Sequence, residues 1–246
     1  MIRIEKRLAG KAGLLAIVCI AMLTLSGCMY PKDQLKQNQI PPKEAVRNVQ
    51  AAIEQFQAET GMLPIKNSTA ETPVYEKFVI DFVKLQNRGY ISDIPSAAFE
   101  KGGNYYFLVI NEETKPAVKL LNLVHFQQMN DISASVTAYA NANGGKLPKG
   151  GQAYPGFYYI NFALLNKKAP NIASEYSGQT LTAMIDDKGL VYTDYGPDLM
   201  QKVTKEGDSA ALEGDLRELL ALSDLFVPIK SPVYHWVDGE PVAIAE

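Results

Sequence analysis

The sequence predicts an α+β protein: two related helix-plus-antiparallel-hairpin units, followed by a C-terminal helix and hairpin. Three observations predict it. Apolar residues twice recur at helical spacing and twice stop at a glycine followed by Leu-Pro. Short β-branched and aromatic runs come in pairs around turn residues. Those pairs do not alternate singly with helices, so hairpins packed on helices are expected, not a parallel sheet.

The first helix opens at Pro41-Pro42, with Glu44 in its first turn. Val46, Val49, Ile53 and Phe56 form one apolar stripe, Gly61 stops the helix, and Pro64 lies just beyond. Residues 78–85 then carry Asp81 where a short helix needs an N-cap. Residues 105–110 read as a strand, residues 111–116 as a turn, and residues 117–121 as the returning strand.

The same order recurs about 80 residues on. A helix starting near Asn122 as N-cap ends Tyr139, Gly144-Gly145, Leu147-Pro148, echoing Phe56, Gly61, Leu63-Pro64. Tyr159-Ile160-Asn161-Phe162 echoes Val79-Ile80-Asp81-Phe82, so Asn161 is expected to cap a second short helix. Residues 181–185 and 190–194 flank Asp186-Asp187-Lys188-Gly189 as a hairpin. An internal duplication follows, with units at 43–121 and 122–200. In the third segment, 201–246, residues 210–223 form a leucine-rich helix. Residues 232–245 form a hairpin around Asp238-Gly239, with Pro241 suited to an edge strand.

The N-terminus reads differently. Arg3, Lys6, Arg7 and Lys11 precede an uncharged apolar stretch, residues 12–25, too short for comfortable membrane spanning. A basic start, a short apolar run and small residues before a cut make a secretory signal, residues 1–27. Leu25-Ser26-Gly27-Cys28 resembles the lipobox of bacterial lipoproteins. The resemblance implies cleavage before Cys28 and acylation of that cysteine, with palmitate among the attached chains, on the extracytoplasmic face of the cell membrane. One acyl chain holds only marginally, and two or more anchor stably. Residues 28–42 form a polar tether that as a random coil spans about 20 Å. Cleavage removes Cys19, so the mature chain has no disulfide and depends on its core. It also removes four basic residues and Glu5, leaving 20 Lys+Arg against 26 Asp+Glu, net −6. That charge excludes nucleic acid as a natural partner and leaves membrane attachment to lipid.

The helix ending aromatic-x-x-x-x-Gly-x-x-Pro, continued by Gly89-Tyr90-Ile91 and Gly102-Gly103-Asn104-Tyr105-Tyr106, resembles the globular part of type II secretion pseudopilins. The likeness covers about 50 residues of the first unit and fewer of the second. It implies a helix-on-sheet shape and not filament assembly, because a lipobox and a polar tether stand where pseudopilins have a prepilin leader and a long apolar helix. The whole layout is similar to the uncharacterised surface lipoproteins of Gram-positive, Bacillus-like bacteria.

Chemistry is sparse. His125 and His235, the only histidines, lack a second ligand at metal spacing, and read as structural. No nucleophile elbow and no phosphate loop is present, so no catalytic, cofactor or metal residues are assigned. Asp186-Asp187 and the Asp194–Asp198 pair, which brackets Tyr195-Gly196-Pro197, read as turn residues in water. Tyr158, Tyr234 and Trp236 read first as aromatics that fill the core; the alternative is that they form an interaction surface for a protein or glycan of the envelope. The expectation is a non-enzymatic, lipid-anchored binding or structural module. A solute-binding lipoprotein of a transporter and an envelope hydrolase are the alternatives.

Overall fold

A computed structural model describes residues 42–206 and 213–245, an α+β chain with antiparallel pairing within each of its three sheets. The leader, Cys28 and the tether through residue 41 lie outside the described residues. Helix α1 (Pro42–Thr60) buries Val46, Val49, Ile53 and Phe56 and stops at Gly61. Its stripe covers the two-stranded sheet of β1 (Tyr105–Ile110) and β2 (Ala117–Asn122). The register runs from Tyr105 opposite Asn122 to Ile110 opposite Ala117. The extended chain at Val79 and Ile80 adds itself to β1, through Val79 opposite Leu108 and an Ile80 N–H bond of 2.9 Å to the Phe107 carbonyl. Helix α2 (Phe82–Asn87) follows, its N-cap Asp81 accepting from the Lys84 N–H at 3.0 Å.

Helix α3 (Leu123–Ala142) starts at Asn122, whose side chain accepts from the N–H groups of Val124 and His125. It packs on a five-stranded sheet of β3 (Lys149–Tyr154), β4 (Phe157–Ile160), β5 (Ile172–Ala173), β6 (Thr180–Asp186) and β7 (Val191–Asp194). Strand order is β3-β4-β6-β5, with β7 also on β6. Matching positions of the two halves make the same backbone contacts. The Pro64 carbonyl accepts from Asp81 N–H at 2.8 Å, and the Pro148 carbonyl accepts from Asn161 N–H at 2.8 Å. Ile65 pairs with Ile80, and Lys149 pairs with Ile160.

Three expectations are corrected, and one strand is added. Residues 162–165 make successive turns rather than a helix, and the chain leaves them with Asn166 at φ +51°. The added strand is Lys149–Tyr154, a stretch unassigned from sequence; pairing with the aromatic strand β4 overrides the weak local propensity of Gly150-Gly151. Tyr195-Gly196-Pro197 starts helix α4 (Gly196–Glu206), with proline at its second position, so the boundary placed at 200 falls inside a helix. The leucine-rich helix expected over 210–223 is shorter: α5 spans Arg217–Ser223. Residues 210–212 lie outside the described residues. Gly214, at φ +82°, breaks the pattern before it, and the Asp215 carboxylate accepts from the Arg217 N–H at 3.0 Å.

The C-terminal hairpin of β8 (Val233–Val237) and β9 (Glu240–Ile244) turns at Asp238 and Gly239, with φ +50° and +90°. Both central residues lie in the left-handed region, as a type I′ turn requires. Between α5 and β8 the chain passes the edges of both the β1–β2 sheet and the five-stranded sheet. Leu225 and Val227 exchange backbone bonds with Leu120 of β2, and the Lys230 carbonyl accepts from Thr193 N–H of β7 at 2.9 Å. This covers strand edges that would otherwise be open to pairing. A small core of Tyr75, Leu108, Ile110, Leu121, Ala221, Val227 and Ile229 sits beneath that seam.

Candidate functional site

Of the aromatic candidates, Tyr234 is buried, and Trp236 and Tyr158 keep part of their surface in solvent. Strand alternation in β8 turns Tyr234 and Trp236 inward and His235 and Val237 outward. Tyr234 is 0% exposed. Its hydroxyl donates to Asp194 Oδ1 at 2.9 Å and accepts from the Tyr195 N–H at 3.0 Å. Trp236 and Tyr158 are half-buried on the same core. The ring of Tyr158 lies 4.0 Å from the Lys149 ammonium. All three pack on the core, Tyr234 fully and the other two in part.

The acidic pairs are also corrected: Asp186, Asp194 and Asp198 are buried, not turn residues in water. Asp186 Oδ1 accepts from the N–H groups of Lys188 at 2.9 Å and Leu190 at 2.8 Å, tying the β6–β7 turn. Asp187 alone is open, paired with Lys149. Asp194 Oδ1 accepts from the hydroxyls of Tyr154 and Tyr234 and from the Gly196 N–H. Asp198 holds the Ser174 hydroxyl at 2.9 Å, and Ser174 Oγ accepts in turn from the N–H groups of Tyr176 and Ser177. Burial pushes the Asp198 carboxyl above its ordinary range, against the lowering effect of Ser177 and Ser174. These carboxylates join β6, β7, α4 and β8 into one body.

His125 lies in the first turn of α3, with Nε2 3.1 Å from Thr193 Oγ1 and Nδ1 3.6 Å from Glu175 Oε2. Asn122 donates to Glu175 Oε1 at 2.9 Å and so orients that carboxylate. The order hydroxyl, imidazole, carboxylate is that of a nucleophilic triad. Thr193 is 0% exposed, so no solute reaches its hydroxyl without the sheet opening. The cluster positions α3 on β7. His235 is exposed on β8. Among the described residues, no group of three or more His, Cys, Asp or Glu side chains is placed to hold a metal.

The open surface lies along the seam. A groove of about 430 Å³ runs between residues 70–77 on one side and residues 190–192 and 230–233 on the other. Within it Lys230 pairs with Glu76 at 3.2 Å, and Arg217 pairs with Asp215 while its guanidinium lies 5.4 Å from the Tyr75 ring. A second cleft, of about 200 Å³, shares Val74, Tyr75 and Lys77 with the groove and is closed on its far side by Ala221 and Leu222 of α5. Three non-glycine residues with positive φ line these two spaces: Phe78 at +53°, Asn111 at +54° and Lys230 at +51°. A third hollow of about 140 Å³ sits under α3 beside Phe162 and Lys167. Sequence reasoning missed the seam, because it is assembled from stretches far apart in the chain; Pro73, Pro228 and Pro232 are its only local signal.

Residues 42–122 match the model of the YphF family N-terminal domain. The matched stretch is α1, α2, β1 and β2, ending at the N-cap of α3. It supplies one wall of the groove, residues 70–77, while residues 190–192 and 230–233 come from outside the match. No curated protein and no solved structure matches the chain.

Proposed function

We propose that this protein is a lipid-anchored module of the cell envelope that binds a partner and performs no chemistry of its own. The observation that carries this reading is Leu25-Ser26-Gly27-Cys28, directly after a basic start and a short apolar run. Acyl chains on Cys28 hold the chain at the membrane, and the polar stretch to residue 41 lets the body stand clear of the headgroups. The seam groove supports the binding part of the reading: it is open, and two of its cations, Lys230 and Arg217, are held by the carboxylates of Glu76 and Asp215.

Metabolic labelling with a palmitate analogue, followed by fractionation of cells making wild type or Cys28→Ala, tests the anchor. Wild type is expected in the membrane fraction with label, and Cys28→Ala without label. An unlabelled wild type, or a labelled Cys28→Ala, overturns the reading. Cross-linking in living cells with wild type then tests for a partner. A solute-binding role is the second reading, favoured by the groove volume of about 430 Å³, which falls within the range of ligand pockets. A thermal-shift panel of sugars, amino acids and nucleosides decides it: a saturable shift supports solute binding, and a flat panel removes it.

A further inference from the structure

We infer that the smaller seam cleft, between the Val74–Glu76 turn and α5, is the docking site for an apolar side chain flanked by lysine or arginine on a partner protein. The inference rests on the binding-module reading and names its site and the chemistry of its partner.

Three observations carry it. The first is apolar exposure. Single exposed hydrophobic residues are ordinary on a protein surface. Here two of them, Val74 at 59% and Leu222 at 54%, line one cleft of about 200 Å³ above Val109, Ile110 and Ala221. That is a room for an apolar side chain, left without an occupant by the chain's own packing among the described residues.

The second is charge. Glu112 and Glu218 line the cleft, and neither makes an ion pair among the described residues. Lys77 is the one cation lining it, against those two carboxylates. Glu218 also contributes to holding the buried Tyr75 hydroxyl above its ordinary range, after burial itself and Asp215. The mouth is therefore net negative beside an apolar floor. Such a surface selects a cationic residue next to an apolar one and repels acidic segments.

The third is backbone strain. Phe78 and Asn111 both line the cleft in the left-handed region, and for a bulky residue such as Phe78 that conformation is an outlier. Phe78 is held there by the Val109 N–H bond to its carbonyl, 3.0 Å. Non-glycine residues kept in such conformations concentrate at ligand clamps. The footprint of one cleft is small, so the interaction belongs to the weak, transient class.

The test uses the lipidated protein in nanodiscs of zwitterionic lipid, with empty nanodiscs as blank. Three fluorescent dodecapeptides serve as probes in anisotropy titrations: alternating Leu/Lys, alternating Leu/Glu and alternating Ser/Lys. The Leu/Lys peptide is expected to bind, and the other two at least tenfold more weakly. Glu112→Gln with Glu218→Gln is expected to weaken Leu/Lys binding by about fivefold to tenfold, from two exposed charge pairs. Leu222→Asn is expected to weaken it similarly, whereas Leu164→Asn, an exposed leucine at another site, leaves it unchanged. Should Leu222→Asn fail to fold by circular dichroism, the surface glutamine pair carries the test alone. Equal binding of Leu/Glu, no binding of Leu/Lys, or binding untouched by the glutamine pair overturns the inference. Self-association lost in Leu222→Asn makes a second copy the occupant and also overturns it. In cells, a partner cross-linked equally by wild type and Leu222→Asn overturns the cleft and leaves the module reading standing. No partner for either removes both.

Discussion

Replacing Asp194 by alanine is expected to cost this protein about 4 kcal/mol of stability. Asp194 is buried, and its Oδ1 accepts three hydrogen bonds: from Tyr154 at 3.0 Å, Tyr234 at 2.9 Å and Gly196 N–H at 2.9 Å. A hydrogen bond to a charged group contributes about 1.5–3 kcal/mol, and orphaning a buried donor costs about 1–3 kcal/mol. The three bonds share one acceptor and their costs do not add, which brings the expected loss down to about 4 kcal/mol. Partial truncations grade the argument. Tyr154→Phe removes one bond at a half-buried position and is expected to cost about 1 kcal/mol. Tyr234→Phe also strands the Tyr195 N–H and is expected to cost about 2.5 kcal/mol. Urea unfolding followed by far-ultraviolet circular dichroism and by fluorescence of Trp236, the single tryptophan, supplies the numbers. Coincident transitions validate the two-state treatment. A loss below about 1 kcal/mol for Asp194→Ala, or equal losses for the two tyrosine variants, refutes the claim that this carboxylate ties β7, α4 and β8 together.

Three further outcomes are expected. The folded state holds the Asp198 proton more tightly than the unfolded chain, so stability should fall as pH rises from about 4 through the raised titration of that carboxyl. Asp198→Asn should remove that slope, and a pH series of urea midpoints that keeps it in the variant contradicts the assignment. Gly103→Ala would place its Cβ 2.1 Å from the Ala97 carbonyl oxygen and 2.6 Å from that of Ser96, so a loss of about 3 kcal/mol is expected. Gly178→Ala, with open space around it and φ +72°, should cost only about 1 kcal/mol; equal thermal midpoints for the two variants would count against the packing account. Gln50 binds the outer edge of β2 with both ends of its amide, to Val118 N–H at 2.7 Å and the Pro116 carbonyl at 3.0 Å. Gln50→Ala is expected to cost about 2 kcal/mol and to speed hydrogen exchange at Val118, and unchanged exchange there would show that the edge is closed by other means.

The first half of the chain was legible because its signals are local. A stripe of Val46, Val49, Ile53 and Phe56, a glycine stop, a capping Asp81 and an aromatic strand each act within a few residues, and the structure places each where the pattern does. The Asp238-Gly239 hairpin is legible for the same reason, since two positive φ angles in sequence admit few residue types. Legibility failed where a long-range partner decides. Lys149–Tyr154 is not legible as a strand, because Gly150-Gly151 carries no strand signal of its own without β4 beside it. Gly196-Pro197 looks like a turn until Asp194 accepts the Gly196 N–H and the helix runs on. Tyr234 and Trp236 were legible as one face of a strand, but alternation cannot say which face meets the core.

By itself the sequence determined the class of fold, the order of most elements and the Leu25–Cys28 motif on which the anchoring proposal rests, because periodicity, caps and short motifs are properties of neighbours. Only the tertiary structure decided that Asp186, Asp194 and Asp198 are buried and satisfied, that His125 reaches Thr193, and that residues 225–230 pass the edges of both β2 and β7. Burial and hydrogen-bond pairing depend on which distant segments share a layer. The seam and its open cleft exist only where residues 70–78, 109–112 and 218–222 meet, and no local pattern encodes that meeting.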